Sequence, residues 1–577
     1  MVALLVGAIA YIPLAAQFFP GSNGKLGHDY EYFLPLLLAG KYWIAKNGVF
    51  TVPYFSPAFC GGLPFIANPQ SIFYSVPQLL SWRVDPVKAY LVTTVLSAWI
   101  GGAGGFLLMR MRFAASVPAA GLAAMIFMFN SFLLHRMAIG HATYYVVGLL
   151  PLLCYLLLAP LQRAADCWEA VARGAGVAAG SGAILAYIVY AGAGNLAVPI
   201  ALTVVAVWMM HALLRPPAVW FWVLAPVAAL LGGALAAAKL VPTLVFLAQF
   251  PRPGSVELFP DAGQMLRMLY GALFLPSLRP TFPGMHEFDY GVGIVPLIAI
   301  GSALYVAIKR RDWRHPPRLV TLLKLVALAL VLAIPLWLNC GSAEFAAWLK
   351  TLPYVGENVT LVRWFLLYLL PLSLLAGLIL DNRVNVPELR AALSLAGMAV
   401  TVLVMFSADQ SYYLQQPYDP RPVLVANREL VENGRVPFVV GIGGRGAPRR
   451  NDALISGLSA YPCYEPVFGY ALESFPKAFV VGSALRNPAC YLYGRENGCR
   501  PGDIFLSSQS AAAFAAYRPF PFVLPLWQWR ANLLTKSGGC LVVLGLTWAL
   551  CDRIRRSLRM GSNAVAGVRA AKPTALD

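Results

Sequence analysis

Residues 319–338 read Leu319-Val-Thr-Leu-Leu-Lys324-Leu-Val-Ala-Leu-Ala-Leu-Val-Leu-Ala-Ile-Pro335-Leu-Trp337-Leu338, with Lys324 the one charged side chain. An apolar run of about 20 residues crosses the hydrocarbon core of a bilayer as a helix. Further apolar runs centre on 1–19, 88–108, 116–134, 143–161, 176–192, 194–214, 219–247, 291–308, 362–380, 391–407 and 535–551. Gly and Pro interrupt several of them, which membrane helices tolerate. Periodicity and length thus predict an all-α polytopic membrane protein with about 12 spans.

Composition agrees. Of 577 residues, 59 % are hydrophobic and only 12 % charged, against about 25 % charged in a soluble domain. That excludes a cytosolic enzyme, a disordered regulator and a disulfide-rich secreted module. The formal net charge of +19 reflects topology and anionic lipid headgroups. Basic residues are spread over many loops, so no nucleic-acid partner is expected. One set of alternate loops carries Arg110, Arg112, Arg163, Arg173, Arg215, Lys309-Arg310-Arg311, Arg383 and Arg390, and the tail adds Arg553, Arg555, Arg556 and Arg559. The positive-inside rule puts this set, and both termini, in the cytoplasm.

The long loops at 20–87, 248–290 and 408–533 then lie on the outer side. Within the first, 29–48 and 70–82 read as interfacial amphipathic helices, with Trp43 and Trp82 as headgroup anchors. Segment 408–533 is the long polar stretch. Its Phe438-Val-Val and Phe479-Val-Val, punctuated by Gly and Pro, predict a small α/β module. The organisation is therefore a transmembrane core, 1–407, that includes the first outer loop. The outer module 408–533, a last span at 534–552 and a basic tail at 553–577 follow.

Gly27-His28-Asp29-Tyr30-Glu31 directly follows the first span. Carboxylates this near hydrocarbon are costly. From spacing alone they read as a solvated helix start, where acids complement the helix dipole.

A second reading comes from resemblance. An acidic first outer loop is similar to that of the GT-C superfamily of membrane glycosyltransferases, and the chain more narrowly resembles the YfhO-like bacterial membrane proteins. The resemblance rests on Gly27-His-Asp29, Gly48, Phe55-Ser-Pro57, Gly61-Gly62-Leu-Pro64 and Asn68-Pro-Gln70-Ser71-Ile-Phe73-Tyr74. Further along it includes Arg136-Met-Ala-Ile-Gly140-His141, Leu240-Val-Pro242-Thr243, His286-Glu287-Phe-Asp289-Tyr290-Gly291 and Cys463-Tyr-Glu465-Pro466 with Gly469-Tyr470. It implies a bacterial inner-membrane enzyme that transfers a sugar, with inversion, from a polyprenyl-phosphate donor to an envelope glycan or lipid acceptor.

On that reading Asp29 is the general base. Glu31 binds a second acceptor hydroxyl or helps hold a divalent metal, an alternative left open, and no other cofactor is expected. His28 is a hydrogen-bonding neighbour or an exposed interfacial histidine. Lys239 is a phosphate ligand or a snorkelling lysine. Arg363 is a phosphate ligand, able to bind bidentately, or an interfacial anchor. Arg136 and His141 line the same cavity or cap their turn. His286 and Glu287 shape its acceptor side, since their spacing is weak as a zinc site. The alternative classes are a flippase for lipid-linked saccharides and a non-catalytic polysaccharide-assembly protein. No Walker segment argues for an ATP-driven pump. Cys490 with Cys499, or Cys60 with Cys463, could pair in an oxidising compartment or remain free thiols.

Overall fold

In the computed structural model the described residues are 2–19, 24–59, 62–164, 166–216, 218–249, 254–275, 285–310, 318–352, 355–356, 358–408, 417–442, 451–460, 508–519 and 524–570. All twelve apolar stretches are helical. Eight helices among the described residues are long and apolar enough to cross a membrane: Pro86–Met111, Val117–Ile139, Cys167–Tyr190, Gly194–Leu214, Leu319–Leu338, Leu361–Arg383, Pro387–Phe406 and Leu526–Leu558. A ninth span arises if the pair Phe221–Leu235 and Ala237–Ala248, bent by 81°, is counted as one. By length and hydropathy, eight or nine of the expected dozen meet the criterion for a span among the described residues. Val2–Phe18, Tyr144–Leu157 and Ile294–Lys309 are apolar but shorter. At 1.5 Å per residue, the 17 residues of Val2–Phe18 reach only about 26 Å of a roughly 30 Å core.

Burial sorts the spans in the way lipid requires. Leu319–Leu338 has the highest mean hydropathy, 2.6, and only 6 % of its window is buried inside the protein. Val117–Ile139 is 89 % buried at a hydropathy of 1.8. The helix shielded from lipid is the one that carries Arg136, because a charge in the bilayer must face protein. It breaks at Asn130, whose side chain accepts from Leu133 N at 3.2 Å and so caps the second half. Packing around it is close: a Cβ on Gly377 would lie 2.6 Å from the backbone oxygen of Ala119. Small residues at helix contacts permit that approach.

The 81° bend is held from outside. The hydroxyl of Thr535 accepts from Ala238 N at 2.8 Å, Gln528 donates to Ala238 O at 3.1 Å, and Tyr190 donates to Leu235 O at 3.2 Å. These bonds satisfy backbone groups freed by the break.

The first outer loop differs from expectation. Helix Tyr30–Asn47 has no exposed apolar face to lay on a membrane; it is buried within the protein on nearly every side from Tyr30 to Trp43. Trp43 is buried and donates to Thr51 O at 2.7 Å, so it does not reach headgroups. Only Val76–Leu80 of 70–82 is α-helical. Part of the cover comes from residues 417–442 and 451–460. Leu26 pairs with Tyr418 and Phe59 with Ala460, Lys25 bonds Asp419 at 2.6 Å, and the buried Lys41 donates to Asn427.

The described residues cover only part of the expected α/β module, and Phe479-Val-Val lies outside them. Among the described residues of 408–533, the strand content is one two-residue parallel pair, Gly441–Ile442 with Leu458–Ser459, beside helices Arg421–Asn433 and Ser508–Ala515. Cys60, Cys463, Cys490 and Cys499 lie outside the described residues. The last helix runs from Leu526 to Ala570, so most of the basic tail continues the span as helix.

Some of the basic loop ends meet one another. Ser116 N donates to Asp381 at 3.1 Å, Arg390 pairs with Asp381 at 3.1 Å, and Arg215 donates to Phe113 O at 2.8 Å. Residues 26–31, 136–141, 287–290 and 362–363 form a separate group.

Candidate functional site

The second group begins with two glycines. Gly27 N donates to Ala138 O at 3.2 Å and Asp29 N to Ile139 O at 3.1 Å. The chain entering the first loop is thereby laid on the C-terminal carbonyls of helix Ser131–Ile139. Gly140 ends that helix at φ 110°. A Cβ there would fall 2.6 Å from Tyr30 N and 2.7 Å from Asp29 Cβ, so the approach needs glycine. Asp29 is thus held against the helix that carries Arg136.

Asp29 occupies the N-cap position of Tyr30–Asn47, yet its side chain makes no cap hydrogen bond. It turns away instead: Oδ1 lies 3.2 Å from His28 Nε2 and Oδ2 lies 3.0 Å from His141 Nε2. The solvated helix start is not what the structure shows, since the Asp29 side chain is only 13 % exposed.

From His141 the contacts continue inward. Its Nδ1 lies 3.0 Å from Nη1 of Arg136, a side chain with no solvent exposure. Nη1 also donates to Glu287 Oε2 at 2.7 Å, and Nη2 donates to Glu287 O at 2.8 Å and to the Tyr290 hydroxyl at 3.1 Å. Arg363 grips the same carboxylate from the other side, Nε to Oε2 at 3.0 Å and Nη2 to Oε1 at 2.5 Å. Asp29, His141, Arg136, Glu287 and Arg363 therefore form one continuous network drawn from four distant segments. Its two guanidinium charges balance two carboxylates, which makes burial affordable.

Electrostatics follow from that pairing. Burial would raise the Glu287 carboxyl, but Arg363 and then Arg136 outweigh it and hold the group well below its ordinary 4.5. Burial pushes the His141 imidazole below its ordinary 6.5, against the pull of Asp29 and with the push of Arg136.

Of the residues singled out from sequence, the structure joins Asp29, His28, His141, Arg136, Glu287 and Arg363. Glu31 is half-buried on the first turn of its helix, and the link from Asp29 to the arginines runs through His141. Lys239 is placed at the 81° bend, donating to Ser71 O at 2.6 Å and Tyr190 O at 3.4 Å. It neither snorkels nor touches this network; it ties the broken helix to the first loop. His286 lies in the turn Met285–Phe288, and its side chain is outside the described residues.

Sequence reasoning missed the aromatic wall. The Tyr144 ring sits 5.1 Å from that of His141 and 5.8 Å from the guanidinium carbons of both Arg136 and Arg363. Tyr290 accepts from Arg136 and donates to Val362 O at 2.7 Å. Tyr290 belonged to a quoted motif, whereas nothing distinguishes Tyr144 from other aromatics in apolar runs. His135 and the fully buried Asp289 form a second pair at 3.4 Å.

Comparison with known family models, characterised proteins and solved structures yields no match to this chain. The structure identifies a polytopic, mostly helical membrane protein, and the likeness to GT-C enzymes rests on the short motifs alone. Among the described residues no group of three or more His, Cys, Asp or Glu is gathered to hold a metal ion.

Proposed function

We propose that this chain is an inverting glycosyltransferase that moves a sugar from a polyprenyl-phosphate donor to an envelope glycan or lipid. The observation that carries the reading is the network joining Asp29, through His141, to Arg136, Glu287 and Arg363. A carboxylate kept from open solvent, within one network with fixed positive charge, is what such a transfer needs. Asp29 takes the proton of an acceptor hydroxyl as that oxygen bonds to the anomeric carbon. The bond from carbon to phosphate oxygen breaks, and its electron pair leaves with the lipid phosphate. A placed base supplies about 10²–10⁴ in rate, and arginine charge favours the departing phosphate. Glu31 contacts a second acceptor hydroxyl or helps hold a divalent metal.

Some of the basic loop ends meet one another apart from this site, which supports placing the site at the outer face of a bacterial inner membrane, with both termini cytoplasmic. A flippase for lipid-linked saccharides is the second reading, and the 81° bend favours it, because broken helices are common in transporters.

The test is Asp29→Asn in proteoliposomes supplied with a panel of polyprenyl-phosphate hexoses and an envelope-lipid extract, products read by mass spectrometry. Transfer should fall by about 10²-fold or more, with donor binding and membrane insertion retained. An unchanged transfer rate removes Asp29 from the role of base. Flipping by the wild type without any transfer establishes the second reading.

A further inference from the structure

We infer that Arg136 fixes the tautomer of His141, and that His141 thereby acts as a positioning residue that presents Asp29 as an ionised proton acceptor. The inference deepens the transferase reading and rests on it for the role of Asp29, but its geometric core stands by itself.

A guanidinium has five N–H donors and no acceptor. Nδ1 of His141, 3.0 Å from Arg136 Nη1, can therefore only accept. A neutral imidazole that accepts at Nδ1 carries its hydrogen on Nε2. That nitrogen is 3.0 Å from Asp29 Oδ2, so it donates and the carboxylate accepts. The four terminal hydrogens of Arg136 have four partners: His141 Nδ1, Glu287 Oε2, Glu287 O and the Tyr290 hydroxyl. The donor aimed at His141 cannot turn away without abandoning one of them. His141 is itself pinned, its backbone N–H donating to Arg136 O at 2.8 Å.

Direction follows from this count. Donation runs from Arg136 to His141 to Asp29. His141 has no lone pair to spare, because Arg136 takes the one on Nδ1 and a hydrogen covers Nε2. It cannot be the base; Asp29 is. A second proton on His141 would set an N–H against the guanidinium N–H. The charged and aromatic groups facing the ring are Asp29, Arg136, Glu287 and Tyr144.

The experiment uses the full chain in lipid nanodiscs with ¹⁵N-labelled histidine. The chain has 6 histidines, and His141→Gln assigns the signal. Two-bond ¹⁵N–¹H correlation should show Nε2 protonated and Nδ1 bare, unchanged between about pH 8 and about pH 6. A hydrogen on Nδ1, or an ordinary histidine titration, overturns the inference. The second arm measures transfer. His141→Leu should lower kcat about 10-fold to 100-fold, within what a general base contributes, with donor KM unmoved. His141→Gln, which keeps an N–H near Oδ2, should recover most of the loss. Equal losses in the two variants also overturn it. If the tautomer is as stated and no variant, wild type included, transfers sugar, the transferase reading fails while the fixed tautomer stands.

Discussion

Glu287 is the residue on which the site's charge balance turns. Its Oε2 accepts from Arg136 and Arg363 at once, and its Oε1 from Arg363. Glu287→Gln removes the negative charge and leaves two guanidinium groups facing each other. Breaking a buried ion pair costs about 3–5 kcal/mol, so thermal unfolding in detergent should shift strongly downward. Acid should do the same by degrees. Glu287 and His141 are both held below their ordinary 4.5 and 6.5, so on acidification the unfolded chain takes up these protons first. The stability they contribute is whole above those values. It drains for His141 as pH drops below 6.5 and for Glu287 as pH drops below 4.5. Unfolding temperature measured against pH should show both phases, with the lower one absent in Glu287→Gln. Charges inside apolar sequence are legible because they are rare, which is why Asp29, Arg136 and Arg363 stood out. Their partners were not legible, since pairing depends on how four remote segments meet. Lys239 shows the same limit: its place in an apolar run could be read, but its burial and its donation to backbone carbonyls could not.

At the scale of elements, the junction between the first loop and helix Ser131–Ile139 sets where Asp29 stands. Gly140→Ala would place a methyl within 2.6 Å of Tyr30 N at a φ of 110°. Forced overpacking costs about 1–3 kcal/mol, and Asp29 would be pushed away from His141. The variant should insert and fold, with a lowered unfolding temperature and a fall in transfer that approaches that of Asp29→Asn; transfer at the wild-type rate would show that the junction does not position the acid. Hydropathy found every apolar helix here, because period and length are local properties. It did not foresee the 3-10 start at Tyr144–Leu149 or the bend after Leu235, which arise from packing. Tyr30–Asn47 misled for a related reason: a helix with a polar Lys41 looks interfacial until another segment covers it.

Across the whole molecule, residues 417–442 and 451–460 are fastened to the first loop by the Leu26–Tyr418 and Phe59–Ala460 pairings and the Lys25–Asp419 ion pair. Lys41 has no exposure and donates to Ser81 O at 2.6 Å and to Asn427. Asn427→Leu removes one acceptor from a buried ammonium, at a cost of about 1–3 kcal/mol. Limited proteolysis from the outer side should then cut within 417–460 faster than in wild type; an unchanged rate would mean that this contact does not fasten the segment.

The helix Leu526–Ala570 adds one more consequence. Near its start Asn532 donates to the Tyr54 hydroxyl of the first loop at 2.8 Å, and 24 residues later Arg556 meets Glu169 at 2.9 Å, a separation of about 36 Å along a helix. A single stiff strut is thus bolted at both surfaces of the bundle. Leaning at the arginine-rich foot must be transmitted as displacement at its head, where it touches the same loop that begins with Asp29.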